Sequence, residues 1–199
     1  MSKHSLIGLG MARPLSEEKR EAILTAAVEL VAAQGTGAPT AKIAREAGVS
    51  EGTLFTYFPT KDDLINQLFL EIEAELAAAL LDGYPVDGSP QDRVRHLWNG
   101  LIDWGAANPA KRKVIRQLKV SDRVSEDSRC RASDLFREIV ERLEGNLTGH
   151  ASAEYEPAYV SAILDTLAET TLEFILRYPE KREHYKCTGF DAFWRGIAR

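Results

Sequence analysis

The segment VSEGTLFTYFPTK, residues 49–61, carries side chains suited to contact with another molecule. If residues 51–58 form a helix, Leu54 and Phe58 share one face. The opposite face then carries Glu51, Gly52, Phe55 and Thr56. Because Gly52 has no side chain, another surface could approach the backbone closely at that point. The pattern predicts a short helix with one face for packing and one face for binding.

Two polar residues flank this segment at predicted helix starts. Thr40 precedes a short helix, where a hydroxyl and free N–H groups can hold a phosphate. Lys61 falls in the first turn of the next helix, where a cation opposes the helix dipole. That unfavourable position indicates a function such as phosphate contact. The alternatives are an ordinary helix cap at Thr40 and an ordinary surface lysine at Lys61.

The remaining reactive residues form no pattern typical of catalysis or metal binding. His96 and His150 have no neighbouring serine, cysteine or carboxylate that suggests a triad, and HExxH, Walker and dinucleotide motifs are absent from the sequence. His184 and Cys187 could supply two metal ligands but lack two more nearby. Cys130 and Cys187 are interpreted as free thiols. We therefore predict no enzyme, no cofactor and no metal site.

The chain that must position these residues has helical periodicity throughout. Ser16, Ser50 and Thr60 are predicted N-caps, and Thr60 with Asp63 forms a capping-box pattern. Gly48 suits the turn between the second and third helices. The later helices are predicted at 60–82, 91–107, 109–120, 126–146, 157–177 and from 179 onward, with a break near residues 187–189. The charged helix at 111–119, KRKVIRQLK, is interpreted as solvated and amphipathic.

Composition and charge argue against several classes of protein. The 199 residues carry a net charge of −5, divided into +1 over residues 1–61 and −6 over the remainder. This balance permits DNA contact at the N-terminal end and argues against a nonspecific nucleoid protein. Apolar runs stay well short of the ~20 residues of a membrane span, and residues 1–14 have too short an apolar core for a signal peptide. We expect a cytoplasmic protein without membrane contact.

Residues 40–64 resemble the signature TxxxIAxxAGVSxGTLYxYFxxKxxL of the tetracycline-repressor (TetR) family. The matching residues are Ile43, Ala44, Ala47, Gly48, Val49, Ser50, Gly52, Thr53, Leu54, Tyr57, Phe58, Lys61 and Leu64, and Thr40 corresponds to the threonine of the signature with one residue fewer before Ile43. The resemblance extends over about residues 16–76. Phe55 departs from the family, which most often has Tyr there, so a hydroxyl that could bond a phosphate is missing.

The resemblance implies an all-α fold with two parts. Residues 16–76 would form a three-helix DNA-binding domain with a helix-turn-helix at about 39–58, and 77–199 a larger helical domain for ligand binding and dimerisation. The implied function is a transcriptional repressor that binds pseudo-palindromic double-stranded operator DNA as a homodimer and is released by a small, largely apolar effector. The alternative is an all-helical enzyme or ligand carrier with an incidental helix-turn-helix. The residues expected to contact DNA are Thr40, Ser50, Glu51, Gly52, Thr53, Phe55, Thr56, Tyr57 and Lys61.

Two sets of residues in the C-terminal part are assigned with the help of the resemblance. The expected lining of an effector pocket is Trp98, Leu101, Ile102, Phe136, Ile139, Val140, Tyr159 and Ile163, with a filled core as the alternative. Asp103 is a candidate for selecting a cationic ligand. The expected dimer interface is Val160, Leu164, Leu167, Ile175, Phe190, Phe193, Trp194 and Ile197. The alternative there is that the core of one chain absorbs both stripes.

Overall fold

The computed structural model describes residues 16–147 and 156–197, and this part of the chain is helical without a β-strand. The predictions for residues 1–14, for His150 and for the remaining undescribed positions of 77–199 lie outside these ranges. The all-α prediction is confirmed. The helices are α1 (Glu17–Gln34), α2 (Thr40–Glu46), α3 (Glu51–Tyr57), α4 (Lys61–Leu81), α5 (Pro90–Ala107), α6 (Pro109–Lys119), α7 (Glu126–Leu147), α8 (Pro157–Arg177) and α9 (Arg182–Ile197), with a 3-10 turn at Pro179–Lys181.

The first three helices form a small bundle around a shared apolar centre. Ile23 from α1, Ile43 from α2 and Leu54 from α3 are completely or almost completely buried there. Gly48 has a φ of +70°, the left-handed conformation that glycine adopts without a steric penalty, and it turns the chain between α2 and α3. The Ser50 hydroxyl then accepts a hydrogen bond from the Thr53 N–H at 3.1 Å and caps α3.

The long helix α4 joins this bundle to the rest of the chain. It begins with the predicted capping box, in which the Thr60 hydroxyl accepts from the Asp63 N–H and the Asp63 carboxylate accepts from the Thr60 N–H. Along its length α4 packs against α1, α5, α6 and α7. The predicted boundary at 76/77 falls inside this helix, and the buried apolar residues continue across it.

The C-terminal helices approach one another closely at two glycines. A Cβ added at Gly105 of α5 would lie 2.6 Å from a methyl group of Leu172, and one added at Gly189 of α9 would lie 2.4 Å from the Thr171 hydroxyl. The predicted break near 187–189 is wrong, because α9 runs unbroken from Arg182 to Ile197. In this helix Gly189 provides close packing against Trp98 and Thr171 rather than a chain break.

In the described part of the chain, no helix is both long and apolar enough to cross a membrane.

Candidate nucleic-acid interface and internal cavity

The outer face of α3 is exposed and held in a fixed conformation. Phe55 is 39% exposed, and Glu51, Gly52 and Thr56 are exposed beside it. The Thr56 hydroxyl donates to the Gly52 carbonyl at 3.0 Å, which keeps the side chain against its own helix. A Cβ at Gly52 would have the Ser50 hydroxyl, 3.9 Å away, as its nearest neighbour. The space above Gly52 is therefore open to an approaching molecule.

Hydrogen bonds within the bundle orient this face. The Thr40 hydroxyl at the start of α2 donates to the Glu51 carboxylate at 2.6 Å, which links the N-terminal ends of α2 and α3. The hydroxyls of Ser50 and Thr53 lie 2.9 Å apart. Thr40, Ser50, Glu51 and Thr53 are thus brought together as one polar edge, and their contact with DNA stays a prediction.

Tyr57 has a structural partner that the sequence did not reveal. Its hydroxyl accepts a hydrogen bond from the Ser16 backbone N–H at 2.8 Å, across 41 residues of sequence. Ser16 lies at the predicted N-cap of α1, but its side chain makes no capping bond. Tyr57 therefore ties the end of α3 to the start of α1, so a role in holding the binding face in place accompanies any DNA contact.

A second basic residue lies beside Lys61. Burial lowers the pKa of Lys61, the nearby Arg123 guanidinium lowers it further, and Asp62 opposes both effects. Arg123 donates to the Asp62 carboxylate at 2.6 Å. Because Arg123 belongs to the loop after α6, no local pattern in the sequence could place it beside the first turn of α4.

A cavity of about 750 Å³, partly open to solvent, lies among α4, α5, α6, α7 and α8. Of the eight residues predicted to line a pocket, the structure places four in its wall: Leu101, Phe136, Ile139 and Val140. Much of the remaining apolar wall comes from residues that the sequence analysis did not select: Phe69, Leu76, Leu80, Trp104, Ile115 and Leu143.

Four residues predicted for the pocket lie elsewhere, so those assignments are wrong for this cavity. Trp98 and Ile102 are fully buried, and the Trp98 indole N–H donates to the Lys186 carbonyl of α9 at 2.9 Å. Tyr159 is 57% exposed, and Ile163 is partly buried outside the cavity wall. For Trp98 the reason is the rotation of α5, which turns this side chain toward Phe190 of α9.

The cavity also has a charged wall. The Arg112 guanidinium is buried and bonds the Glu169 carboxylate at 2.6 Å, and Arg116 reaches Glu169 at 3.1 Å. The interpretation of α6 as solvated is thus wrong for Arg112, since this side chain packs inward on the cavity. Burial raises the pKa of Glu73, also in the wall, while Lys119 opposes this rise and Asp165 adds to it.

Asp103, the earlier candidate for cation selection, lies outside the cavity wall. Its carboxylate accepts hydrogen bonds from Lys186 at 2.6 Å and from Arg182 at 2.8 Å, so both α9 cations already neutralise it. Partial burial alone would raise the pKa of Asp103, but these hydrogen bonds outweigh it and hold the pKa below its ordinary value. Asp103 joins α5 to α9.

The predicted dimer interface is mostly interior. Six of its eight residues are buried within the single chain: Val160, Leu164, Ile175, Phe190, Phe193 and Ile197. Leu167 and Trp194 are partly buried against the same core. The assignment is wrong for the six buried residues, because α8 packs its main apolar stripe against α5 and α9.

A different apolar surface is exposed near the C-terminal end of α8. Phe174, Leu176 and Tyr178 are 41%, 45% and 38% exposed. The rings of Phe174 and Tyr178 lie 6.3 Å apart, and each lies within 6.2 Å of the Tyr185 ring. These three aromatic residues, Phe174, Tyr178 and Tyr185, are called the aromatic surface below.

Within the described residues, no three His, Cys, Asp or Glu side chains are grouped so that they could hold a metal ion. Cys130 and Cys187 are exposed and unbridged.

Comparison with known proteins gives matches over the whole fold and over the N-terminal half. Residues 23–68 match the model of the bacterial regulatory proteins of the tetR family. A crystal structure assigned to a tetR family transcription regulator of Shewanella sp. PV-4 is 30% identical, with a TM-score of 0.80 over 91% of this chain and 98% of that chain. The fold is also similar to FadR from Bacillus subtilis in complex with stearoyl-CoA, with 18% identity, a TM-score of 0.70 and coverage of 89% and 99%.

Among curated proteins, the nucleoid occlusion factor SlmA of Haemophilus influenzae strain PittGG is 26% identical over 101 residues. That alignment covers 50% of this chain and 46% of SlmA. The chain therefore spans about half the length of the curated relatives that it matches first.

Proposed function

The chain belongs to the TetR family of transcription regulators, which are DNA-binding proteins and not enzymes, and from this premise we propose that it is a cytoplasmic repressor. It binds a pseudo-palindromic operator as a homodimer, and a small, largely apolar ligand in the internal cavity releases it. The observation that carries the proposal is the exposed outer face of α3, held by its Ser50 cap and by the Thr40–Glu51 hydrogen bond.

In this proposal, residues 16–76 form the DNA-binding domain and α3 enters the major groove. Gly52 permits close approach, and the Glu51 carboxylate can accept from a cytosine amino group. The Lys61 ammonium contacts a phosphate, and the Thr40 hydroxyl does so when its hydrogen turns from the Glu51 carboxylate to the DNA. Such contacts position the helix without reading sequence. Arg123 adds a cation beside Lys61 and strengthens this backbone contact.

Dimerisation is needed because α3 has only seven residues and reads few base pairs. The aromatic surface supports a contact between two copies, since large aromatic side chains are enriched at protein interfaces. Arg177 and Lys181 lie next to its rings and can supply a polar rim. The interface proposed here uses the exposed side of α8 and α9 in place of the buried stripes.

Effector control follows a physical connection between the cavity and α4. Lys119, in the cavity wall, is the last residue of α6. The loop that follows is fastened to α4: the Asn66 amide donates to the Arg123 carbonyl at 2.9 Å and accepts from the Ser125 N–H at 2.8 Å. A ligand that displaces the end of α6 would thereby shift the start of α4 and change the spacing of two reading helices.

The test is selection of binding sites from random duplexes by the purified full-length protein, followed by gel shifts of the enriched fragments at two salt concentrations. The proposal expects inverted half-sites and affinity that falls as salt rises. Selection that enriches no sequence would refute the proposed function. A single, unrepeated half-site would refute the homodimer.

A further inference from the structure

We propose that the cavity takes a lipophilic molecule with a protonated amine, and that Glu73, together with Asp165, recognises the positive charge. This inference rests on the proposed function, because it specifies the chemistry of the effector that the cavity would hold. It is drawn from the distribution of charges in the cavity wall.

The Glu73 carboxylate is buried, and burial of a charged group lowers folding stability. It lies in the middle of α4, is 3% exposed and contributes to the cavity wall. Among the described residues, its ion-pair partner is Lys119, with 3.8 Å between Nζ and Oε1, which is longer than a hydrogen bond. A buried carboxylate without a close donor costs stability unless another group compensates for it.

Asp165 brings a second carboxylate to the same cavity from α8. Asp165 is exposed to solvent, so water already compensates its charge. The buried Glu73 depends on Lys119, whose own side chain is half exposed. A ligand cation placed between α4 and α8 would supply the positive charge that Glu73 lacks, with Asp165 as a second carboxylate nearby.

Three of the four positive side chains of the wall are already engaged by the protein. Arg112 bonds Glu169, and Arg116 pairs with Glu169 and Glu173. Arg129 donates to the carbonyls of Lys119 and Ser121, both at 2.9 Å. An anionic ligand would have to displace these partners or draw Lys119 away from Glu73, which would leave the buried carboxylate without a counter-ion. A cationic ligand would instead meet Glu73 directly, with Asp165 nearby.

The rest of the cavity selects an apolar body. Aromatic and aliphatic side chains from α4, α5 and α7 face the space of about 750 Å³, which is enough for a small lipophilic molecule. Three of these wall residues are Phe69, Trp104 and Leu143. The combination of a buried carboxylate and an apolar wall fits an amine attached to a hydrocarbon.

The test is calorimetric titration of the full-length protein at pH 7.5 with decylamine, decan-1-ol and decanoate, each below its aggregation concentration. The three probes share an alkyl tail and differ in charge. The inference expects decylamine to bind at least ten-fold more tightly than either other probe. Equal affinities, tighter binding of decanoate, or no binding by any probe would overturn it.

Substitutions locate the recognition. Glu73→Gln should weaken decylamine binding by about 10- to 100-fold, as expected for loss of a charged hydrogen bond, with a far smaller effect on decan-1-ol. Lys119→Gln should strengthen decylamine binding, because the ligand no longer competes with the lysine for the carboxylates. The matched control is Glu71→Gln, which removes the same charge from α4 outside the cavity, and its partners Arg20 and Gln67 also lie outside the wall. This control should leave decylamine affinity unchanged. If Glu73→Gln and Glu71→Gln act alike, Glu73 does not recognise the charge.

Failure of this inference is distinguishable from failure of the proposed function. Site selection from random duplexes tests DNA binding without any ligand. Decylamine that binds through Glu73 but does not release the selected operator would support the inferred ligand class and refute induction. An operator complex that forms normally while decylamine and decan-1-ol bind equally would refute only the inference.

Discussion

Replacement of Gly52 by Glu separates DNA binding from folding. Gly52 lies in α3 with an ordinary helical φ, and a Cβ there would have no neighbour closer than 3.9 Å. The change should therefore fit without strain and stabilise the helix by about 0.5–1 kcal/mol, because glycine costs about that much in a helix. For a chain of this length the melting temperature should rise by about 1–4 °C.

Operator binding should change in the opposite direction. A glutamate at Gly52 occupies the space left for DNA and places a negative charge near phosphates. A loss of about 1–3 kcal/mol in each half-site, the usual range for one damaged base contact, gives about 2–6 kcal/mol for a dimer. Operator affinity should thus fall by about 30-fold or more.

The assay combines thermal unfolding with gel shifts on the selected operator. The matched control is Gly145→Glu in α7, another exposed helical glycine with open space around its Cβ, which should stay folded and keep its operator affinity. The reasoning is refuted if Gly52→Glu unfolds the protein, or if the folded variant binds the operator as tightly as Gly145→Glu.

Three further changes probe the phosphate contact, the cavity and the dimer. Lys61→Ala should weaken binding to all DNA sequences alike and reduce the slope of log affinity against log salt by about 1.8, for one lost phosphate contact in each of two subunits. The exposed control Lys113→Ala should leave the slope unchanged, and an unchanged slope for Lys61→Ala would exclude the phosphate contact. Because burial raises the pKa of Glu73 above its ordinary 4.5, ionisation costs folding stability as pH rises through that range. Glu73→Gln should therefore have a larger free energy of unfolding than the parent at pH 7.5, measured by urea unfolding. This difference should shrink toward pH 4, by at most about 1.4 kcal/mol per pH unit, and a difference independent of pH would contradict the reasoning. Tyr178→Asp should give a folded monomer at micromolar concentration in sedimentation, and a persistent dimer would show that the aromatic surface is not the interface.

The cavity and the reading helix communicate in both directions if a ligand releases DNA. Binding of the operator must then weaken ligand binding by the same factor by which the ligand weakens operator binding. The loop held by Asn66 gives this coupling a structural basis, because it joins the end of α6 to the first two turns of α4. Calorimetry of decylamine with and without operator would measure the factor.

Local sequence determined most of the helices and the exposed face of α3. Helix starts depend on a cap and the next three residues, so Ser50 and the Thr60–Asp63 pair could be assigned before the structure was known. The turn at Gly48 follows from its freedom to adopt a positive φ. The exposed face of α3 follows from helical periodicity, and the family resemblance gave its expected role.

Tertiary packing decided which apolar stripes become core, cavity wall or surface. Val160, Phe190 and Phe193 look like an interface in the sequence, yet they fill the interior, because periodicity shows that a helix has an apolar face without showing which helix will cover it. The same holds for Trp98, which the rotation of α5 turns away from the cavity. Arg123 lies beside Lys61, and Glu73 is buried with Lys119 as its ion-pair partner. Both arrangements join residues far apart in sequence, so they depend on how the helices pack rather than on any local pattern.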